Sequence, residues 1–227
     1  MSEILRVRFE NNIGAVCNNL TTMGALVDSM VVSAVRALVD RDPNLAQSVI
    51  ERDDRIDELD LQIEEQCIHL LWSQQPVAAD LRVVGTAMKA ITDLERIGDH
   101  AVDIARISRE LSQSIPPPPV VDFPRLSEAA LAVLRDALRA FVDRDMERVD
   151  RAVMGDDTVD ALYARAVADL DAATARDPAH AISYNRLSIV ALYLERIADH
   201  AVNIAERVAY LLTGDFNQLA RSHLSKQ

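Results

Sequence analysis

The chain has 227 residues, 49% hydrophobic but only 4% aromatic, with a formal net charge of −12. That length is enough for a sizeable core in one large domain or two small ones, and a composition rich in Ala, Leu, Val, Ile, Arg, Asp and Glu favours helices packed on helices over sheets. The acidic balance argues against nucleic acid as a partner and against binding anionic lipid by charge alone, while it suits cations or a basic protein surface.

Residues 4–41 read as one long helix, with Ile13, Val16, Leu20, Met23, Val27, Met30, Val31 and Ala34 recurring at three and four. Asp42-Pro43 is a stop and restart, Asp as N-cap and Pro at the first helical position. A second helix is expected to about Ser73, its core line Val49, Ile56, Leu59, Ile63, Cys67 and Leu70, closed by Trp72 as a core or bundle-end residue. A third runs from about Ala78 to Gln113, beyond the break at Gln75-Pro76. Four consecutive prolines, Pro116 to Pro119, cannot be helical and read as a stiff spacer, or alternatively as a ligand for an SH3-type domain. The pattern then begins again with helices over about 124–143, 146–175 and from Asp177-Pro178 to Thr213, where Gly214 stops the last one.

Restarting is literal repetition. Leu-Glu-Arg-Ile-Gly-Asp-His-Ala-Val-Asp-Ile-Ala from Leu94 returns at Leu194 as Leu-Glu-Arg-Ile-Ala-Asp-His-Ala-Val-Asn-Ile-Ala, matching at ten of twelve positions. Val39-Asp40-Arg41-Asp42 is echoed by Val142-Asp143-Arg144-Asp145, and the Asp-rich run at Asp53 by that at Asp156. The expected class is therefore all-α: two tandem homologous three-helix bundles over residues 1–115 and 124–214, joined by a proline-rich connection at 116–123 and followed by a tail at 215–227. Whether the long helices share one six-helix core stays open at this level.

On a helix, Glu95, Asp99 and Asp103 fall at about 0°, 40° and 80°, stacked along one edge of the polar side. Glu195 and Asp199 repeat this line, with Asn203 in place of the third acid and Glu206 returning a carboxylate to it. Carboxylates one turn apart can bridge a hard or borderline cation such as magnesium, manganese or iron. A solvated acidic face, with Arg96 and Arg106 pairing to Asp99 and Asp103, is the competing reading. The second helices add Asp53, Asp54 and Asp57 in one half, and Asp156, Asp157 and Asp160 in the other, if they pack beside the third helices.

His100 and His200 lie about 100° from the motif Asp and are read as structural or surface side chains. The Glu-x-x-His pattern of di-iron bundles, phosphate-binding glycine loops and nucleophile elbows are missing, so no enzyme is expected. Cys17 and Cys67 lie in apolar-periodic stretches and are assigned to the core; no Cys/His spacing suggests zinc. The N-terminus is charged by residue 3, and no uncharged apolar run reaches 18 residues, so neither a signal peptide nor a membrane span is expected and the protein is placed in the cytoplasm.

The duplicated Glu-x-x-x-Asp motif, Glu95/Asp99 and Glu195/Asp199, resembles that of the PhoU family, and the resemblance extends over nearly the whole chain. It implies a negative regulator of phosphate uptake and starvation signalling that links the ATPase subunit of a Pst-type phosphate importer to a PhoR-type sensor histidine kinase. It further implies a homodimer, peripheral at the inner membrane face through its protein partners. Iron, zinc, magnesium or manganese would be held by Glu95, Asp99, Glu195 and Asp199, with Asp103, Asp57 and Asp160 as weaker candidates. A metal-buffering bundle without a signalling role is the alternative.

Overall fold

The computed structural model describes residues 3–215, with side chains from Phe9 onward; the expected tail beyond Asp215 lies outside them. Seven α-helices follow in order: α1 Glu3–Asp40, α2 Pro43–Ile50, α3 Asp53–Gln74, α4 Ala79–Ser112, α5 Phe123–Asp143, α6 Met146–Arg176 and α7 Ala181–Thr213. A single 3-10 turn, Pro178–His180, precedes α7. No strand occurs among the described residues.

The local signals act where expected. Asp42 accepts from the backbone N–H groups of Asn44 and Leu45, and Asp145 accepts from those of Glu147 and Arg148. Each cap satisfies donors left open in a first helical turn, an arrangement worth about 0.5–2 kcal/mol. The residues before the caps, Arg41 and Arg144, share a left-handed backbone, φ 55° and 56°, so the sequence echo is also a conformational one. Arg41 then turns its guanidinium onto the carbonyls of Leu111, Ser112 and Ser114, closing the C-terminal end of α4, whereas Arg144 stacks over Phe141. Gly214 ends α7 at φ 75°.

One expected element is divided. The second helix was expected to be continuous from Pro43, yet it breaks at Glu51-Arg52, where Arg52 N–H bonds Val49 and Arg55 N–H bonds Arg52 in place of the α ladder. Short α2 buries Ala46 and Val49, and Arg109 of α4 reaches it through Gln47 Oε1 at 2.6 Å. The break leaves Asp53 and Asp54 in the first turn of α3, where the helix dipole favours them. In the second half α6 runs unbroken, carrying Gly155 against Val133 of α5.

Each half is a three-layer helical bundle, α1 with α2/α3 and α4, then α5 with α6 and α7, and the two share one continuous core. The seam between them is α4 on α7 and α1 on α5. Across it, Arg82 pairs with Leu211, Thr86 with Arg207, Asp93 with His200 and His100 with Tyr193. Positions rise along α4 as they fall along α7, so these helices are antiparallel and the halves face each other about a pseudo-twofold axis. Arg135 of α5 clamps Asp28 of α1 with two bonds of 2.6 and 3.2 Å.

By length and composition Phe9–Asp40 is apolar enough to cross a membrane, but half of an 18-residue apolar stretch within it is buried in the fold. Val16, Leu20, Met23, Val27, Met30, Val31 and Ala34 are fully enclosed there, as a core helix requires. Of the core and bundle-end places expected for Trp72, the core is excluded: it is 79% exposed, two residues from the end of α3. The core line of α3 is Ile56, Leu59, Ile63, Cys67 and Leu70, and Trp72 projects about 160° away from Ile56 around the helix. Cys67 is buried and Cys17 half-buried, both free; burial pushes the Cys67 thiol up to about 11, so the thiolate is suppressed.

Candidate functional site: paired acidic seams and a polar crossing

The two motif helices present their repeats identically. From Leu94 to Ala105 and from Leu194 to Ala205, the order of buried, half-buried and exposed positions is the same at all twelve places. Buried Leu, Ile, Ala and Val hold the core side, and this leaves Glu95 and Asp99, like Glu195 and Asp199, half-buried at its edge.

In the first half, α3 packs beside α4 and brings the acids of both helices together. Burial raises the Glu95 carboxyl above its ordinary range, and the charges of Asp99, Asp60 and Asp57 push it further against the opposing pull of Arg96. Asp53 is raised in the same way, first by burial and then by Asp57 and Asp99. The cluster is thus Glu95 and Asp99 from one helix with Asp53, Asp57 and Asp60 from the other. Asp60 was missed by reading only the Asp53–Asp57 run; its place one turn beyond Asp57 was the available signal. Arg96 bridges the ridge, 3.4 Å from Glu95 and 3.0 Å from Asp99, as the spacing predicts.

Asp103 does not join this group. Arg106 holds it at 3.0 Å and Tyr193 of α7 hydrogen-bonds to it, so it belongs to the seam between the halves. In the second half Glu195, Asp199 and Asp160 are half-buried, Asp156 is 6% exposed, and Asp157 is exposed. Glu206 is buried, whereas Arg106 at the corresponding place in α4 is exposed, so the carboxylate at 206 does not extend an open ridge. Among the described residues no three His, Cys, Asp or Glu side chains converge closely enough to share a metal ion. The first-half acids repel one another across two helices without forming a closed coordination shell.

Between the seams lies a crossing that no sequence pattern indicated. His100 and His200 meet with ring centroids 5.7 Å apart. His200 Nδ1 donates to Asp93 at 2.9 Å, and Asn203 Nδ2 contacts the same carboxylate oxygen at 3.4 Å. The pseudo-twofold places Tyr193 where Asp93 stands. Its ring stacks on His100 at 5.2 Å, and its hydroxyl pairs with Asp103. An acid opposite an amide in one place is a hydroxyl opposite an acid in the other. Asn203 therefore departs from Asp103 because its neighbour is Asp93, and two carboxylates at that spacing would repel. Burial, helped by His200 and Arg196, pushes His100 down to about 4 and keeps its imidazole neutral near pH 7.

The structure is therefore an all-helical duplicated bundle that carries a carboxylate-rich motif on the last helix of each half, α4 and α7. The PhoU domain family matches residues 20–108 and again 123–208, the two halves in turn. The chain belongs to the PhoU family. The phosphate-specific transport system accessory protein PhoU homolog of Pseudomonas aeruginosa is 39% identical over 209 residues, covering 91% of this chain and 86% of that one. Its namesake in Clostridium acetobutylicum is 34% identical over 207 residues, 91% and 94% of the two chains. PhoU of Escherichia coli is 31% identical over 220 residues, 96% and 91%. The crystal structure of PhoU from P. aeruginosa superposes with a TM-score of 0.86 at 37% identity, covering 91% of this chain and all of that one. The phosphate transport system regulatory protein PhoU from Streptococcus pneumoniae gives 0.81 at 26%, covering 91% and 98%.

Proposed function

We propose that this protein is a negative regulator of phosphate uptake and of the phosphate-starvation response. In this reading it is a cytoplasmic homodimer that docks on the ATPase subunit of a Pst-type phosphate importer and on a PhoR-type sensor histidine kinase, holding both in check while phosphate is plentiful. The observation that carries the reading is membership of the PhoU family over both halves of the chain, with relatives named as accessory proteins of the phosphate-specific transport system. An acidic helical surface suits docking on basic protein partners.

Metal binding forms part of the proposal. Burial and the neighbouring carboxylates raise the carboxyls of Glu95 and Asp53, and a cation would relieve that repulsion. An oxygen-only donor set favours magnesium or manganese over zinc, with iron the borderline choice. Glu95 and Asp99 with Asp53 and Asp57 would hold an ion in one half; Glu195 and Asp199 with Asp160 would do so in the other. The ion would supply charge that makes the ridge less acidic towards a partner.

Deleting the gene tests the signalling role: phosphate-responsive genes should be expressed constitutively in phosphate-rich medium, and an unchanged response would overturn the adaptor. Elemental analysis of protein purified without chelator, alongside the variant with Glu95, Asp99, Glu195 and Asp199 all changed to Ala, tests the metal. Stoichiometric metal that disappears in the variant supports it; metal absent from both, or retained in the variant, removes the ridges as the site.

A further inference from the structure

Helix α3 carries an apolar stripe on the face turned away from the core. Leu61 is 60% exposed, Ile68 51% and Trp72 79%. At 100° per residue they lie within about 40° of one another around the helix, some 120–160° from Ile56, and span about 16 Å of its length. The spacing of seven and then four is that of alternating d and a positions in a heptad, with exposed Glu65 at the a position between Leu61 and Ile68. Val77 and Leu81, both exposed, follow at the same end of the bundle. Three large side chains in one solvent-facing line differ from scattered surface hydrophobes, which need no explanation.

The charges around the stripe specify what covers it. Helix α3 carries seven carboxylates and a single arginine. Asp57 and Glu64 run along the side of the stripe nearer α4, and Glu58 and Glu65 along the other. A second copy of this helix would set two such acid rows against each other, with Glu65 inside the seam. An anionic lipid surface would be repelled by the same charges. We propose that the Leu61–Ile68–Trp72 face is the docking strip for an amphipathic helix of a protein partner whose apolar ridge is flanked by arginine or lysine. The strip locates a partner contact for the adaptor reading above, and it rests on that reading for its place in the cell.

Coupling follows from the geometry. Asp57 borders the docking strip and also belongs to the acid cluster with Glu95 and Asp53. Basic side chains on the docked helix would therefore partly neutralise the cluster, and a cation in the cluster would weaken the attraction for the helix.

Trp72 is the sole tryptophan of the chain, so its fluorescence reads the strip directly. The full chain is titrated with a short tryptophan-free helical peptide bearing leucine at a and d and arginine at e and g. Two controls are a scrambled peptide of the same composition and a counterpart with glutamate in place of arginine. A saturable blue shift with the amphipathic basic peptide, weakened by salt and at least ~10-fold poorer with either control, is expected. Ile68→Glu and Glu65→Arg, checked by circular dichroism for unchanged helicity, should each weaken binding ~10-fold or more. Absence of a shift, equal binding of the scrambled peptide, or full affinity in Ile68→Glu overturns the proposal. Self-association of the protein that Ile68→Glu abolishes also overturns it, in favour of a face between two copies. In cells, a strain lacking the gene is complemented with the Leu61→Glu/Ile68→Glu double variant. Deregulation that the variant fails to correct supports the strip. Full correction removes the strip while leaving the adaptor intact. A deletion with no phosphate phenotype removes the adaptor, and the peptide titration still decides the strip.

Discussion

The two motif helices, α4 and α7, carry nearly the same twelve residues with the same burial, yet their surroundings differ in three places. Asp93 and Asn203 face each other where the symmetry mate is Tyr193 and Asp103. Ile56 sits over Gly98, whereas the corresponding positions are Val159 and Ala198. The Asp-rich second helix begins afresh at Asp53 but runs through Asp156. At the crossing the difference is a pair of changes that offset one another across a contact. Duplicated helices thus keep their core register while the residues at the crossing drift together, and a departure in one copy is interpretable only beside its spatial neighbour.

The largest effect tests whether the halves stand or fall as one. Leu94 and Leu194 are both fully buried in the same core. Replacing either with Ala should cost about 2–5 kcal/mol. Because the core is continuous, each variant should melt in one transition at a lower temperature. Two resolved calorimetric transitions, with only one moved by Leu94→Ala, would break the shared-core description.

The crossing comes next. Tyr193→Asp removes the ring stacked on His100 and sets a second carboxylate against Asp103, at an expected cost of about 1–3 kcal/mol. Adding Asp103→Asn transplants the Asp93–Asn203 arrangement into the other half and should recover part of the loss. A double-mutant cycle should give a coupling of at least ~0.5 kcal/mol. Strict additivity would mean that Asn203 and Asp103 differ for a reason unrelated to their neighbours.

These two predictions also mark what was legible in the sequence. The cap at Asp42, the stop at Gly214 and the apolar line of α1 depend on neighbours a few residues away, and the structure has them where the pattern placed them. The Glu95/Asp99 and Asp53/Asp57 juxtaposition was reachable once side-by-side helices were assumed. The α2–α3 break was not, because residues 50–53 hold neither Gly nor Pro; the interruption serves packing on α4, which is a tertiary demand. The His100–His200 crossing needed the antiparallel register of α4 and α7, which no local pattern encodes. Trp72 is expected in the core or at the bundle end, and its angle, opposite the Ile56 line, already excludes the core.

A smaller effect is the pH dependence that His100 brings to stability. His100 has its folded pKa lowered to about 4 from an ordinary 6.5, so the unfolded chain takes up a proton first as pH falls. Its contribution to stability is full above 6.5 and is lost as pH falls towards 4. Glu95 and Asp53 act with the opposite sign: their folded pKa values are raised, so protonating them in acid relieves the fold. In metal-free protein, His100→Gln should flatten the fall in melting temperature between pH 6.5 and 4. The same fall in the variant would assign the acid sensitivity to other groups.

The finest comparison concerns one methyl group. A Cβ built on Gly98 would meet Ile56 Cγ2 at 3.5 Å and Cγ1 at 3.6 Å, ordinary contact distances. Glycine is therefore not required there, and inside a helix it costs about 0.8–1 kcal/mol relative to alanine. Gly98→Ala should stabilise the protein by about 0.5–1 kcal/mol in urea unfolding, while Ala198→Gly should cost about 1 kcal/mol or more, since it also empties a buried methyl site. That result would mean the room beside Gly98 is not set by Ile56. Combining Gly98→Ala with Ile56→Val rebuilds the second-half pair in the first half and should fall near wild-type stability. A loss on Gly98→Ala alone would mean that α3 and α4 have no room to accept even ordinary contact. The pairing of Ile56 with Gly98 would then be a fixed feature of the acidic seam and not an interchangeable solution.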